Sequence, residues 1–65
     1  MTFGENLKAI REQKGLSQRE LGERLGVRQQ TVAQYENAED QPKMKTIRRL
    51  ATALDIPIYR LGRTY

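Results

Sequence analysis

Two helical segments joined by a very short turn constrain the fold of this chain more than any other feature. The first segment opens with a capping box, in which Ser17 is followed three residues later by Glu20, and it stops at Gly26. Only Val27 separates Gly26 from the next helical segment, which we expect over residues 28–36. Helices this short, joined by so short a turn, cannot lie side by side. The sequence therefore predicts that they cross at a steep angle.

Helical signals also flank this pair. Thr2 and Glu5 have the spacing of a second capping box, and Gly15 is typical of the end of the helix that follows it. After a polar loop, apolar residues recur at helical spacing over 44–54, and Pro57 begins a last short turn. The pattern predicts an all-α fold of four or five short helices around one apolar core.

Composition limits the size of the fold and its chemistry. The 65 residues allow one small domain, over 1–65, and the absence of Cys and His excludes disulfides and the usual zinc ligands. We therefore expect no metal and no cofactor. Lys and Arg number 12 against 8 Asp and Glu, so the net charge is +4. This excess favours a polyanionic partner.

The same residues argue against a membrane protein and against an enzyme. No apolar run approaches the roughly 20 residues of a membrane span, and Glu5 and Lys8 interrupt any signal-peptide core. We expect a soluble, cytoplasmic protein with no membrane partner. Without His or Cys, and with its one Ser (Ser17) used as a helix cap, the chain lacks the common catalytic groups. No small-molecule ligand is evident.

The segment from Gly15 to Asn37, GLSQRELGERLGVRQQTVAQYEN, resembles the helix-turn-helix of the Cro/C1-type (XRE) family, which includes the lambdoid phage repressors. The resemblance implies a compact five-helix, lambda-repressor-like DNA-binding domain with its motif at about 17–36. Gly22 stands at the helix crossing, where the family more often has Ala, and Gly26 supplies the left-handed turn residue. The residues expected to point inward are Leu21, Leu25, Val27, Val32 and Tyr35.

The same resemblance implies that the second helix of the motif reads DNA bases. It also implies that the protein is a sequence-specific regulator of transcription on double-stranded DNA, and we expect it to be a repressor. With Val32 inward, the helical period turns a polar face outward: Arg28, Gln29, Gln30, Ala33, Gln34 and Asn37. A Gln amide matches adenine N7 and N6, and Arg matches guanine O6 and N7. The predicted base readers are Gln29, Gln30 and Gln34, followed by Arg28. The alternative is that these side chains only solvate an exposed helix.

Most of the predicted phosphate contacts lie at helix starts, where backbone N–H groups and the helix dipole attract anions, and Asn37 lies on the outward face of the motif's second helix. The predicted contacts are Gln18, Arg19, Asn37, Lys43 and Lys45. For Lys43 and Lys45 the alternative is plain surface solubility. Arg28 and Lys43 stand where the family often has a Ser or Thr cap. These departures cost helix stability and place positive charge near the expected DNA side.

One ion pair is expected to be structural. In relatives an Arg on the first helix pairs with a Glu at the end of the recognition helix, and Arg11 and Glu36 occupy those places. A partly buried pair of this kind would hold the recognition helix in orientation. Glu36 is therefore not a catalytic candidate.

The C-terminal segment raises the question of a partner. In the family this end commonly forms a two-fold contact, so we expect a weak homodimer on an inverted repeat, with Pro57, Tyr59 and Arg60 in the interface. The alternative is that Ile58 and Leu61 only close the core and that Tyr65 is a frayed end. An antitoxin-like module on the same fold, whose main contact is another protein, is the competing functional hypothesis.

Overall fold

A computed structural model describes residues 1–62 and shows that the domain is all-α. Over that range it contains α1 (Phe3–Gln13), α2 (Gln18–Leu25), α3 (Gln29–Glu36), α4 (Met44–Leu54) and a 3-10 turn (Ile58–Arg60). None of the helices within 1–62 has the length and apolar character needed to cross a membrane. The prediction of an all-α helix-turn-helix fold is thus confirmed, while the number of helices needs correction.

The fifth helix was predicted wrongly, because the segment after Pro57 is a 3-10 turn of three residues. Its hydrogen bonds join Arg60 N to Pro57 O at 3.1 Å and Leu61 N to Ile58 O at 3.0 Å. Both bonds span three residues, as in a 3-10 turn. The next residue, Leu61, is almost completely buried. The segment therefore turns just far enough to bring Leu61 into the core.

Both predicted capping boxes are present. At the start of α1, Glu5 N donates to Thr2 Oγ1 at 3.1 Å and Thr2 N donates to Glu5 Oε1 at 3.0 Å. At the start of α2, Glu20 N donates to Ser17 Oγ at 3.0 Å and Ser17 N donates to Glu20 Oε1 at 2.8 Å. The bond from Ser17 N lowers the pKa of the Glu20 carboxyl below its ordinary value of 4.5. These boxes fix where α1 and α2 begin.

The other two helices begin without a side-chain cap. Arg28 and Lys43 are the N-cap residues of α3 and α4, and neither side chain makes a capping hydrogen bond. Arg28 has extended backbone angles, and its carbonyl accepts from Thr31 N at 3.0 Å, so the first helical residue is Gln29. The predicted helix over 28–36 is therefore one residue too long. The first-turn N–H groups of α3 and α4 receive no side-chain oxygen from their N-cap residues.

The turn between α2 and α3 depends on two glycines. Gly26 has a φ of 74°, the left-handed conformation expected of it. A Cβ on Gly22 would lie 2.8 Å from Val27 O, whereas Val27 N donates to Gly22 O at 2.9 Å. The backbone of the turn therefore packs directly on α2. This close approach explains why a residue unfavourable in helices occupies position 22.

One apolar core joins all the helices within the described part of the chain. Its members come from α1, α2, α3, α4 and the final turn: Phe3, Leu7, Ile10, Leu21, Leu25, Val32, Ile47, Leu50, Ala51, Leu54 and Leu61. Val32 is the one residue of α3 that is buried, while Val27 and Tyr35 are partly buried against the core. Few apolar side chains therefore anchor α3, with Val32 buried and Tyr35 partly buried, and polar contacts complete its attachment.

A second close approach joins α1 to the end of α3. Gly4 is buried, its N–H donates to Ala38 O at 2.9 Å, and a Cβ there would lie 2.0 Å from Glu36 O. No side chain can stand at this position unless the helices move apart. Gly4 therefore sets the distance between α1 and α3, a role that sequence reasoning missed.

Candidate nucleic-acid interface

The outward face of α3 consists of exposed amide side chains. Gln29, Gln30 and Gln34 are all exposed, and Asn37 continues the face at the C-cap of the helix. Arg28 is exposed at the N-cap, beside the first of these glutamines. The structure thus places the four predicted base-reading residues on one solvent-facing surface. Such a face presents donors and acceptors together, which is what reading a base edge requires.

A buried ion pair lies beneath this face. Arg11 Nε donates to Glu36 Oε2 at 2.5 Å and Arg11 Nη2 donates to Glu36 Oε1 at 3.3 Å, while Arg11 Nη1 donates to Leu16 O at 2.6 Å. The two side chains are only 9% and 5% exposed. The structure therefore brings together the residues expected to pair. This bidentate pair fixes the orientation of the last turn of α3 relative to α1.

The hydrogen bonds continue from this pair to the protein surface. Gln18 Nε2 donates to Glu36 Oε1 at 3.0 Å, and Gln29 Nε2 donates to Gln18 Oε1 at 3.3 Å. A predicted phosphate-contacting residue and a predicted base reader are therefore bonded to each other. Because the carboxylate only accepts, it orients the amide of Gln18, which in turn orients Gln29. Sequence reasoning assigned these residues separate roles and missed the link.

The remaining predicted phosphate contacts occupy helix ends. Arg19 follows Gln18 in the first turn of α2 and lies 3.6 Å from Glu23 on the surface. Lys43 and Lys45 are exposed at the start of α4. Asn37, at the other end of α3, is exposed as well. All of these side chains are accessible to a large anionic partner.

The residues predicted for a dimer contact are exposed, but one of them is engaged within the chain. Pro57 is exposed, and Tyr59 is 70% exposed. Arg60 Nη2 donates to Gln13 Oε1 at 3.2 Å, and Asn6 Nδ2 donates to the Arg60 carbonyl at 2.9 Å. These bonds hold Arg60 against α1. Tyr65 lies outside the described residues.

Comparison with known proteins identifies the class to which this fold and surface belong. A family model described as helix-turn-helix matches residues 7–61, most of the chain. The chain belongs to the Cro/C1-type (XRE) helix-turn-helix family, whose members are DNA-binding transcription regulators. This family is normally non-enzymatic.

Particular relatives include regulators and antitoxins. The chain is 47% identical over 47 residues to antitoxin HigA1 of Mycobacterium tuberculosis, covering 72% of this chain and 32% of that protein. It is 40% identical over 66 residues to the HTH-type transcriptional repressor RghR of Bacillus subtilis, covering 94% and 49%. It therefore spans no more than about half the length of these two relatives.

One solved structure matches this chain over nearly the whole length of both proteins. The crystal structure of the restriction-modification controller protein C.AhdI from Aeromonas hydrophila superposes with a TM-score of 0.82 at 37% identity. The match covers 92% of this chain and 91% of that one.

Proposed function

We propose that this domain is a sequence-specific regulator of transcription that binds double-stranded DNA by placing α3 in the major groove, with repression as its role. The observation that carries the proposal is the exposed amide face of α3, held in one orientation by the buried Arg11–Glu36 pair. A rigid helix with donors and acceptors on its outer face fits the major groove, whose base pairs present distinct patterns of both. The family to which the chain belongs supports the same role.

The structure supports a different role in DNA binding for each of the individual glutamines. Gln29 is hydrogen-bonded to Gln18, so its amide is oriented before DNA arrives. Gln30 and Gln34 are exposed without a side-chain hydrogen bond among the described residues, and their amides can turn to fit a base edge. Arg28, at the uncapped start of the helix, is suited to guanine O6 and N7. We assign base reading to this set.

The helix ends supply the phosphate contacts in this proposal. Gln18 and Arg19 stand at the start of α2, and Lys43 and Lys45 at the start of α4. The start of α4 lacks a side-chain cap, which leaves its N–H groups and the positive end of its dipole available to an anion. Asn37 completes the set from the far end of α3. Binding of this kind is expected to weaken steeply with salt.

A weak homodimer on an inverted repeat is part of the proposal. Two copies related by a two-fold axis would set their recognition helices about 34 Å apart, one turn of DNA. The exposed Pro57 and Tyr59 support this contact, because aromatic residues are enriched at interfaces. Arg60, held against α1 by Gln13 and Asn6, would present a rigid edge beside them.

A second candidate function is an antitoxin-like module, whose main partner is another protein. It is supported by the 47% identity to antitoxin HigA1. In that case DNA binding would accompany neutralisation of a protein partner. The two candidates share the DNA-binding surface and differ in whether a second protein is obligatory.

The experiment that tests the proposal is selection of binding sites from a random duplex library by the purified protein at near-physiological salt. We expect an enriched inverted repeat with half-sites about 10 base pairs apart. Gln30→Ala should lose preference at one base pair of each half-site, whereas Lys8→Ala, at an exposed position of α1 outside the proposed DNA and dimer contacts, should select the wild-type sequence. No enrichment above the input pool would overturn the proposal, since DNA contact would then be only electrostatic.

A further inference from the structure

A basic cleft lies between α2 and α4, and none of the residues assigned to DNA lines it. It encloses about 330 Å³ and is lined by Arg24, Leu25, Arg48, Arg49, Thr52 and Ala53. The three arginines are exposed, whereas Leu25 is buried and Ala53 is partly buried against the core. The cleft therefore has a cationic rim and an apolar floor.

Crossed hydrogen bonds hold two of the arginines in place. Arg24, on α2, donates from Nη1 to Ala53 O of α4 at 3.0 Å. Arg49, on α4, donates from Nη2 to Leu25 O of α2 at 2.6 Å. The accepting carbonyls lie in the last turns of the two helices, where positive charge is favourable. Each guanidinium uses one of its five N–H donors in this way, and the others remain available.

The arginines of the cleft form no ion pair within residues 1–62. No carboxylate oxygen there lies within 4.0 Å of Arg24, Arg48 or Arg49. On α2, Glu23 lies 3.6 Å from Arg19, and Glu20, which accepts from Ser17 N, acts on Arg24 only across more than 4.0 Å. Three like charges held around one cleft repel each other, and a bound anion would remove that repulsion.

The cleft lies toward the C-terminal ends of both helices. The residues assigned to phosphates stand at their N-terminal ends, Gln18 on α2 and Lys43 on α4. Arg24 is six positions beyond Gln18, which is roughly 9 Å along the helix axis. On α4 the separation is smaller, because Lys45 precedes Arg48 by three positions, roughly 4.5 Å along the axis, so the test of the cleft also measures DNA affinity.

We propose that this cleft binds an acidic segment of a partner protein. Carboxylates would pair with the guanidinium groups of Arg24, Arg48 and Arg49, and an apolar side chain between them would rest on Leu25 and Ala53. The lining favours a peptide segment over one small oxyanion, because the three guanidinium groups stand beside apolar surface that an oxyanion would leave uncovered. The proposal is independent of DNA binding.

The test uses a fluorescein-labelled peptide rich in aspartate with interspersed leucines, added to the DNA-free protein. Binding is measured by fluorescence anisotropy and mapped by amide chemical shifts. Arg48→Glu reverses one charge of the cleft without removing either crossed hydrogen bond, and Lys8→Glu makes the same change in charge on the exposed face of α1. We expect Arg48→Glu to weaken binding by about tenfold or more, and Lys8→Glu by less than about twofold. Shifts should cluster on residues 24–25 and 48–53.

Three results would overturn the proposal. Equal losses in the two variants would show that only net charge matters. Chemical shifts confined to α3 would place the peptide on the DNA-reading face. A larger loss of DNA affinity in Arg48→Glu than in Lys8→Glu would make the cleft part of the DNA surface instead. A protein that binds the peptide but selects no DNA site would refute the proposed function and leave this inference standing.

Discussion

Replacing Glu36 by Ala removes the carboxylate on which the attachment of α3 depends. Arg11 would then keep its bond to the Leu16 carbonyl, but the carboxylate left to it within 4.0 Å would be that of the exposed Glu12, at 3.9 Å. A guanidinium that is 9% exposed would thus exchange a bidentate partner for a distant, solvated one. Gln18 would also lose the acceptor that orients its amide. We therefore expect Glu36→Ala to destabilise the fold severely.

The size of the effect follows from the burial of the pair. Breaking a buried ion pair by removing one partner costs about 3–5 kcal/mol. A domain of 65 residues has a total stability of about 3–10 kcal/mol. The variant is thus expected to lose a third or more of its stability. With an m-value near 1 kcal/mol/M, the urea midpoint should fall by about 3–5 M.

The assay is urea unfolding followed by far-ultraviolet circular dichroism, with a double variant as the control. Arg11→Met combined with Glu36→Leu removes both charges and fills the space with apolar groups, an exchange that is often close to neutral. The double variant should therefore be more stable than Glu36→Ala alone. A loss below about 1 kcal/mol in Glu36→Ala, or a double variant less stable than the single one, would refute the reasoning.

Three further predictions concern single positions. Asp55 has a φ of 58° at the end of α4, so Asp55→Gly should raise the free energy of unfolding by about 1 kcal/mol, and a fall in thermal stability would contradict this. Gly4→Ala places a Cβ 2.0 Å from Glu36 O and should lower the unfolding free energy by about 1–3 kcal/mol; unchanged urea unfolding would contradict the close approach. The pKa of Glu20 is lower in the folded protein than in the unfolded chain, so as pH falls the unfolded chain takes up this proton at a higher pH. The stability that the Glu20 carboxylate contributes is therefore present above pH 4.5 and is lost as pH falls through the pKa of the folded state. Glu20→Gln keeps an acceptor for Ser17 N without titrating, and parallel pH profiles of the variant and the wild type would contradict that assignment.

Local signals in the sequence were sufficient for most of the fold. The capping box at Ser17 and Glu20 and the left-handed Gly26 act within a few residues, and the structure contains both. Arg28 was recognised as a poor cap, yet the helix was drawn one residue too long, because helix ends depend on backbone angles that periodicity does not report. Counting the turn after Pro57 as a fifth helix is wrong, because the pattern does not reveal how soon Leu61 enters the core.

Contacts between elements distant in sequence were harder to predict. Gly4 looked unremarkable in α1, since its role depends on the backbone of α3 passing directly over it. The bond between Gln18 and Gln29 depends on how α2 crosses α3. The pairing of Arg11 with Glu36 could be expected only through the family resemblance. Helical period identifies the face on which a residue lies, but it does not identify what that face meets.

The claim that the outward glutamines of α3 read base edges is tested most directly by combining a base analogue with a side-chain substitution. Each adenine of the selected site is replaced in turn by 7-deazaadenine, which lacks the N7 acceptor, and DNA affinity is measured for the wild type and for Gln29→Ala, Gln30→Ala and Gln34→Ala. We predict that at one adenine the analogue costs the wild type about 1–3 kcal/mol and costs one of these variants nearly nothing. Equal losses in the wild type and all three variants at every adenine would contradict base reading by these side chains.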